Sequence, residues 1–386
     1  HAENVKIVNN RWIASPYVPH PGVYAEPGTV KNLVTGGNRV VATYARELQA
    51  LGHQVLVVSN AAAPLRAREA LRLIRRGRWS ELKQRRQPPP GHIALSGVPH
   101  RTLERERPIV AADLPDADVI IATWWETAVW MAALPASKGR QVHLIQGYEI
   151  WGGEHMRQRV HDALRLPNRK IAISSGLKRD IESALGDLRM AVVPNAVDLD
   201  QFDAPARTRQ SVPTIGFIYA HAAIKGADRC LQAIALAREQ IPELRVVCFG
   251  ADQPGADLPL PANSQFTCRP AQNALAGHYA ACDAWLFASR LDSFGLPILE
   301  AMACRTPVIG VPIGAAPDLL VDGRGMLVEG STESELIDRM AAAIVAMLRQ
   351  PAADWQAMSD AAYQRARAYS WQDAARRLES ALQSAE

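Results

Sequence analysis

Short apolar runs rich in Val, Ile and Ala recur along the chain, and segments with apolar residues at helical spacing lie between them. Such runs are typical of strands buried on both faces of a parallel sheet, and parallel strands need crossover connections that helices usually supply. The alternation therefore predicts an α/β fold. The predicted strands are residues 5–8, 55–58, 118–122, 142–145, 170–173, 191–193, 214–219, 244–249, 284–288 and 307–311.

The alternation lapses between residues 194 and 213, where polar residues and prolines replace it. A chain of 386 residues is long enough for two ordinary domains, and a polar, proline-containing segment between two α/β series is typical of an interdomain linker. We therefore expect two α/β domains in tandem with a cleft between them.

Cysteine usage and apolar run length exclude two classes of protein. The five cysteines are odd in number and form no CxxC pair, which favours reduced thiols in a cytosolic protein over a disulfide framework or a zinc site. The longest apolar stretch, residues 119–134, is interrupted by Glu126 and is shorter than the roughly 20 residues that span a bilayer. We expect a cytoplasmic protein without a secretory signal or a membrane-spanning segment.

The net charge of +4 conceals one basic segment. Residues 66–86 contain nine Lys and Arg against two acidic residues, a local charge of +7, with Leu71, Leu73, Ile74 and Trp79 among them. An amphipathic helix of this kind rests on an anionic membrane surface, here the inner face of the membrane, although a solvated helix packed on its own domain is the alternative. We expect no nucleic-acid partner, because no nucleic-acid-binding motif accompanies the segment.

Residues 292–303 read D-S-F-G-L-P-I-L-E-A-M-A and follow the predicted strand 284–288. A strand, a Gly-containing turn and a helix N-terminus together form an anion site, because unpaired amides and the helix dipole point into the turn. Asp292 and Glu300 flank that turn, and carboxylates accept hydrogen bonds from vicinal hydroxyls. The combination suits a nucleotide sugar.

This segment resembles the paired-glutamate motif of retaining glycosyltransferases with the GT-B fold, family 4, which reads E-x-F-G-L-P-x-x-E-A-M-A-x-G-x-P-V-I. Residues 193–198 (V-P-N-A-V-D) and 369–371 (Y-S-W) resemble two further family segments. The resemblance implies an acceptor-binding Rossmann-like domain over 1–200, to which a last helix of about 371–386 returns. It also implies a nucleotide-sugar-binding Rossmann-like domain over 201–370.

By this resemblance Glu300 binds the nucleotide ribose and Asp292 binds the donor sugar, and both act in catalysis. Ser293 and the backbone of Phe294, Gly295 and Leu296 hold the sugar and the diphosphate. Two residues depart from the family pattern, Asp292 in place of Glu and Arg305 in place of Gly.

Residues 218–226, I-Y-A-H-A-A-I-K-G, resemble a second family motif, G-R-x-x-x-x-K-G. Lys225 then neutralises the diphosphate leaving group, while Ala220 stands about where the family has Arg. His221 either replaces that cation in part or is an exposed loop histidine. Arg290 supplies another donor-site cation or is solvated or ion-paired. No metal-binding DxD occurs in a suitable context, so we expect neither a metal nor a cofactor.

Six residues of the first domain are candidates for acceptor binding. Gly36 and Gly37 resemble the small-residue turn after the family's first strand, and a flexible surface turn is the alternative. The segment 123–127 lacks a histidine that the family often has there, and its aromatic residues favour a 6-deoxyhexose donor. The loop 146–154 combines Tyr, Glu and Trp, which suits sugar binding, although Glu149 is equally explained as a structural carboxylate. The candidates are Gly36, Gly37, Trp125, Glu126, Tyr148 and Glu149.

The resemblance implies a retaining, metal-independent hexosyltransferase. It would move a hexose or 6-deoxyhexose from a nucleotide diphosphate sugar to a glycan or lipid-linked acceptor, in bacterial surface polysaccharide or glycolipid assembly. The alternative is a non-catalytic nucleotide-sugar or glycan-binding protein with the same fold. A nicotinamide-dependent dehydrogenase is disfavoured, because no GxGxxG follows the first predicted strand.

Overall fold

The computed structural model describes residues 4–9, 35–61, 67–75, 77, 79, 82, 91–151 and 153–383, which form two compact units. The first unit contains the described residues up to Ile171, Asp187–Ala191 and the described residues from Ala375 onwards. The second unit contains Ala172–Gly186 and Val192–Ala374.

The first unit is built on a largely parallel sheet. Its strands are β1 Asn4–Asn9, β2 Gln54–Ser59, β3 His100–Thr102, β4 Val119–Ala122, β5 Arg140–Ile145, β6 Arg169–Ala172 and β7 Ala191–Val192. In the described part of the chain they lie in the order β3-β2-β1-β4-β5-β6-β7. The pairs β2–β3, β1–β2, β1–β4 and β4–β5 are parallel, as the unbroken apolar runs predict.

Helices connect these strands. They are α1 Thr35–Ala50, α2 Ala67–Arg75, α3 His92–Leu95, α4 Trp125–Ala132 and α5 Glu154–Leu164. The apolar residues of α1 that recur at helical spacing are all buried, which confirms the periodicity-based prediction. The helix ends where Gly52 takes a φ of +96°, a left-handed conformation that favours glycine.

The second unit repeats the architecture. Its strands are β8 Thr214–Tyr219, β9 Arg245–Gly250, β10 Ser264–Cys268, β11 Ala284–Phe287, β12 Val308–Gly310 and β13 Gly325–Leu327. Every neighbouring pair in the order β10-β9-β8-β11-β12-β13 is parallel. The strand order reverses between β8 and β11, and in such sheets ligands bind beyond the carboxyl ends of the two strands at the reversal.

The helices of the second unit follow the predicted alternation. They are α6 Ser175–Leu185, α7 Ala227–Arg238, α8 Leu275–Ala280, α9 Leu296–Ala303, α10 Ala316–Leu319, α11 Glu333–Arg349 and α12 Ala352–Arg367. Helix α6 follows strand β6 along the chain but belongs to the second unit.

The last helix, α13 Trp371–Gln383, returns to the first unit from Ala375 onwards, as the family resemblance implies. Its residues Ala375, Leu378 and Leu382 are buried, and Glu379 Oε1 lies 2.8 Å from Nε2 of the buried His53. Among the described residues, no helix has both the length and the apolar character needed to cross a bilayer.

Candidate functional site

The turn between β11 and α9 has the strand–turn–helix geometry that the sequence predicts. Gly295 occupies the N-cap of α9 with a φ of +90°, and a Cβ there would lie 3.0 Å from the side chains of Ile298 and Phe287. The backbone conformation therefore favours glycine, and a Cβ would force the side chains of Ile298 and Phe287 to shift. Pro297 lies in the first turn of α9, where its fixed φ suits the helix and its missing amide proton costs no helical hydrogen bond.

The carboxylate of Asp292 accepts hydrogen bonds from the backbone amides of this turn. Its Oδ1 accepts hydrogen bonds from the backbone amides of Gly295 at 2.8 Å and Phe294 at 3.2 Å. Its Oδ2 accepts a bond from Lys225 Nζ at 2.9 Å. The sequence assigned these amides and Lys225 to the sugar and the diphosphate of a ligand. In the structure they bind the Asp292 carboxylate instead, so its oxygens lie where anionic oxygens of a ligand would be bound.

Lys225 reaches Asp292 because its turn is fastened to the loop after β11. It ends the short 3₁₀ helix Ala223–Lys225, and Gly226 follows with a φ of +69°. A Cβ on Gly226 would lie 2.0 Å from the carbonyl oxygen of Ala288, so only glycine permits this approach. The backbone amide of Arg290, in the loop after β11, also donates to Ile224 O at 2.8 Å and so joins that loop to the Lys225 turn.

Arg290 lies in an ion-pair cluster beside this turn. Its guanidinium donates to both carboxylate oxygens of Asp228, at 2.8 and 2.7 Å, and to Glu333 Oε1 at 2.5 Å. Arg229 pairs with the same Glu333, and mainly through that hydrogen bond the pKa of Glu333 falls to about 2. Of the two interpretations of Arg290 from sequence, the structure shows an ion-paired arginine, whose charge two carboxylates share.

His221 is held by the loop that follows β9. Its Nε2 lies 2.9 Å from Gln253 O, and its Nδ1 lies 3.2 Å from Asp257 Oδ2. Both neighbours are acceptors, and only the imidazolium donates from both ring nitrogens. The carbonyl of Gln253, helped by Asp257, accordingly raises the pKa of His221. His221 thus lies just after β8, close along the chain to the position of the missing family arginine, and its surroundings favour the protonated form.

Glu300 lies on α9 and accepts a hydrogen bond from a buried tyrosine. The hydroxyl of Tyr279 donates to Glu300 Oε2 at 2.7 Å. Tyr279 is fully buried on α8, and neither its position nor its spacing in the sequence pointed to this contact.

The remaining donor-site candidates form the backbone of the turn. The Ser293 carbonyl accepts a hydrogen bond at 2.6 Å from Ser174, the N-cap residue of α6. The carbonyl of the buried Phe294 accepts one from the Ala315 amide at 2.8 Å, and Leu296 begins α9. The turn is therefore held from both sides by hydrogen bonds to neighbouring elements of the second unit.

In the first unit, Trp125 and Glu126 open α4 and lie beside Arg159. Trp125 is 4% exposed, with the Arg159 guanidinium 4.7 Å from its ring centroid. Glu126 Oε1 lies 3.7 Å from the same guanidinium, and burial raises the pKa of the Glu126 carboxyl. The indole of Trp125 is therefore covered, and of the two tryptophans behind the 6-deoxyhexose expectation only Trp124 is partly exposed.

The other first-unit candidates lie after β5 and at the start of α1. The Tyr148 hydroxyl lies 2.7 Å from His161 Nε2, and the two rings stack. Glu149 is 7% exposed, and burial raises the pKa of its carboxyl well above the ordinary value. Gly36 and Gly37 lie in the first turn of α1, so the expected turn is the beginning of the helix itself. The loop between β1 and α1, residues 10–34, falls outside the described residues.

Two family models match the chain. The model described as glycosyl transferases group 1 matches residues 212–350, and the model described as glycosyltransferase family 4 matches residues 34–201. Between them they account for most of both units. The chain belongs to the group 1 glycosyltransferases.

Curated relatives of this chain include D-inositol 3-phosphate glycosyltransferases. That of Arthrobacter sp. strain FB24 is 33% identical over 201 residues, which is 47% of each chain. That of Mycobacterium avium strain 104 is 32% identical over 205 residues, 47% of this chain and 46% of the relative. The matched region spans about half the length of these relatives.

Solved structures identify the fold as GT-B. Anabaena Alr3699/HepE in complex with UDP superposes with a TM-score of 0.67 at 15% identity, covering 99% of this chain and all of that one. Sucrose-phosphate synthase from Thermosynechococcus elongatus gives 0.64 at 16% identity, covering 98% of both chains. At such low identities the likeness establishes the fold alone.

Sequence reasoning missed several residues of the candidate site. Asp228 and Glu333 pair with Arg290, Asp257 faces His221, and Tyr279 binds Glu300. In the sequence Asp228 shows only as an acidic residue that suits the first turn of a helix, which gives no indication that it pairs with Arg290. In the described part of the chain no three His, Cys, Asp or Glu side chains are grouped as metal ligands.

Proposed function

We propose that this chain is a retaining, metal-independent hexosyltransferase. It transfers a hexose or 6-deoxyhexose from a nucleoside diphosphate sugar to a glycan or lipid-linked acceptor in bacterial surface polysaccharide or glycolipid assembly. The observation that carries the proposal is the placement of Lys225 and Asp292 2.9 Å apart at the carboxyl ends of β8 and β11, the point of strand reversal in the second sheet.

The chemistry of this site supports transfer with a diphosphate leaving group. Lys225, His221 in its protonated form and the amides of Phe294 and Gly295 stabilise the negative charge that develops as the glycosidic bond breaks. Glu300 accepts hydrogen bonds from ribose hydroxyls, and Asp292 accepts them from the sugar. In the retaining mechanism implied by the family, a leaving phosphate oxygen takes the acceptor proton, so positioning replaces a protein base.

The test is nucleotide binding followed by transfer. Because Anabaena Alr3699/HepE was solved with UDP, UDP is the first probe, with GDP and ADP beside it in thermal-shift and ligand-observed NMR experiments. We expect one nucleotide to bind, Glu300→Ala to abolish that binding, and the exposed Glu243→Ala to preserve it. Absence of binding by any nucleotide would overturn the proposal. Binding without turnover when acceptors are supplied would favour the non-catalytic alternative.

Two further measurements test the mechanistic part. Proton NMR of the product reports whether the anomeric configuration of the donor is retained, and an inverted product would contradict the retaining mechanism. Activity that EDTA abolishes would contradict metal independence.

The exposed face of α2 supports docking of the enzyme on an anionic membrane. Arg68, Arg72 and Arg75 are exposed there beside Leu71 and Ile74, which are 49% and 39% exposed. Apolar side chains on an exposed cationic face suit the boundary between lipid headgroups and acyl chains. Most of the basic segment beyond Arg75 falls outside the described residues.

Vesicle pelleting tests this docking. Replacing the three α2 arginines by Gln should weaken sedimentation with phosphatidylglycerol vesicles. Replacing the exposed Arg269, Arg339 and Arg349, which lowers the net charge equally, should leave it intact. Equal loss in both triple variants would refute a specific role of α2.

A further inference from the structure

Tyr279 is fixed in one orientation inside the second unit. It is fully buried, and its ring centroid lies 4.4 Å from that of Trp285, 5.6 Å from that of Phe249 and 6.0 Å from that of Phe202. Its carbonyl accepts a hydrogen bond from Thr306 Oγ1 at 2.8 Å. Aromatic neighbours on several sides and an anchored backbone leave the ring a single position.

The hydroxyl of this fixed ring contacts the carboxylate expected to bind the nucleotide. It donates to Glu300 Oε2 at 2.7 Å, a phenol-to-carboxylate bond of the stronger, charge-assisted kind. Burial, with the nearby Glu300 charge, raises the pKa of Tyr279 far above its ordinary value, so the hydroxyl keeps its proton at neutral pH. A glutamate has three rotatable bonds, and a donor of fixed position removes much of that freedom before a ligand arrives.

We propose that Tyr279 is a positioning residue that presents the Glu300 carboxylate to the ribose hydroxyls of the donor nucleotide and thereby sets the preference for ribonucleotides over deoxyribonucleotides. The inference rests on the proposed function, because it requires Glu300 to contact ribose. Tyr279 acts through Glu300 and touches no substrate.

The test compares the dissociation constants of UDP and dUDP, and of the corresponding GDP and ADP pairs. For the nucleotide that binds, we expect the wild type to prefer the ribose form by about tenfold, the effect of one hydrogen bond to a charged group. Tyr279→Phe should reduce that ratio to roughly two, because ribose affinity falls while deoxyribose affinity changes little. Glu300→Gln should reduce it as far, and the double variant no further than Glu300→Gln alone.

Tyr363→Phe is the matched control. Tyr363 is also buried in the second unit and also donates its hydroxyl to a carboxylate, Asp203 Oδ1, at 2.8 Å. Its loss should leave the ribose preference unchanged. A purely structural role for Tyr279 would weaken the ribose and deoxyribose forms alike, which would overturn the inference.

A second variant keeps the test decisive if Tyr279→Phe folds poorly. p-Aminophenylalanine at position 279 places an N–H donor at the same ring position and should preserve the preference; its loss there would overturn the inference. Ribose preference that Glu300→Gln removes but Tyr279→Phe preserves refutes the inference alone. A wild type that binds no nucleotide overturns the proposed function itself.

Discussion

At the scale of single residues, one methylene separates Asp292 from the glutamate that the family motif has at this position. The shorter side chain folds back onto the amides of its own turn, at 2.8 and 3.2 Å, and binds Lys225 with its other oxygen. A diphosphate that uses Lys225 must therefore compete with Asp292. The ion pair is partly exposed, so its contribution to the free energy is modest.

Asp292→Asn should change nucleotide affinity and the rate of sugar transfer in opposite directions. The amide oxygen still accepts from Phe294 and Gly295, while Lys225 loses its anionic partner, so nucleoside diphosphate affinity should rise by roughly two- to fivefold. Turnover should fall at least about tenfold, because a neutral amide stabilises the reacting sugar less. Calorimetric titration and initial rates measure the two effects. The exposed Asp338→Asn serves as control, and weaker nucleotide binding by Asp292→Asn would contradict the competition.

Glu149→Gln should stabilise the protein in a pH-dependent manner. Because burial raises the pKa of Glu149 in the folded state, folding holds a proton that the unfolded chain releases above its own pKa of about 4.5. The free-energy cost that the buried Glu149 carboxyl adds to folding therefore grows as the pH rises above that value. Glu149→Gln should raise the Tm at pH 7 and leave it unchanged near pH 4.

Melting curves at both pH values check this expectation. The exposed Glu106→Gln, also in the first unit, should show no such difference between the two pH values. A Tm of Glu149→Gln below that of the wild type at pH 7 would mean that the carboxylate is ionised and bound in the folded state.

Motif spacing identified Lys225, Asp292 and Glu300 as candidate site residues but not how they pair. Lys225 and Asp292 lie in separate predicted loops, and their contact depends on Gly226 approaching Ala288, which is a matter of three-dimensional packing. Tyr279 was missed for a similar reason, since an aromatic residue in an apolar helix usually serves only the core.

At the scale of elements, Arg305 links the end of α9 to α12. It stands where the family has glycine and keeps the left-handed backbone, with a φ of +56°. Its guanidinium binds Asp360 and lies 3.9 Å from the centre of the Tyr363 ring, and its Nε donates to Ala204 O at 3.0 Å. These contacts offset a backbone strain of about 1 kcal/mol.

Arg305→Ala should destabilise the protein more than Arg305→Gly. Both variants lose the side-chain contacts, but only glycine relieves the left-handed backbone, so the free energies of unfolding should differ by about 1 kcal/mol. Urea denaturation measures the difference. Equal values for the two variants would show that the positive φ at position 305 carries no strain.

Element prediction failed mainly at the edges of the sheets. Strands β3, β10 and β13, which the sequence did not predict, each end a sheet and carry no fully buried side chain. An edge strand has a partner on one side and solvent on the other, so its sequence lacks the continuous apolar run of a central strand. The predicted central strands, by contrast, are confirmed within about two residues at each end.

At the scale of the whole molecule, the last helix completes a unit whose other residues lie far away in sequence. Truncation after Ala374 should destabilise the first unit selectively, because it exposes the surface packed against Leu378 and Leu382 and removes Glu379, which lies 2.8 Å from His53. Hydrogen exchange should show lost protection in α1 and β2, with β8 and β11 unaffected.

The single substitution Glu379→Gln provides the comparison for this truncation. It removes the charge opposite His53 but keeps the buried apolar residues of α13, so protection of α1 and β2 should change far less. Equal loss of protection in both units after truncation would show that they do not unfold separately.

The two-unit design was predictable because each half of the chain repeats the strand–helix alternation. The polar linker at 194–213 was the one discontinuity visible in the sequence. The assignment of Ala172–Gly186 to the second unit, and of α13 from Ala375 onwards to the first, depends on contacts between residues distant along the chain. Local periodicity carries no information about such contacts.

That interleaving limits how the gene can be recombined. The polypeptide passes from one unit to the other four times, at Ala172, Asp187, Val192 and Ala375. A single crossover between homologous genes leaves at least one unit with segments from different parents, and a crossover at the linker does so to both units. A chimera that exchanges one whole unit must transfer its segments together: residues up to 171, 187–191 and the C-terminal stretch from 375. The two units are therefore separable by design but not by one cut in the gene.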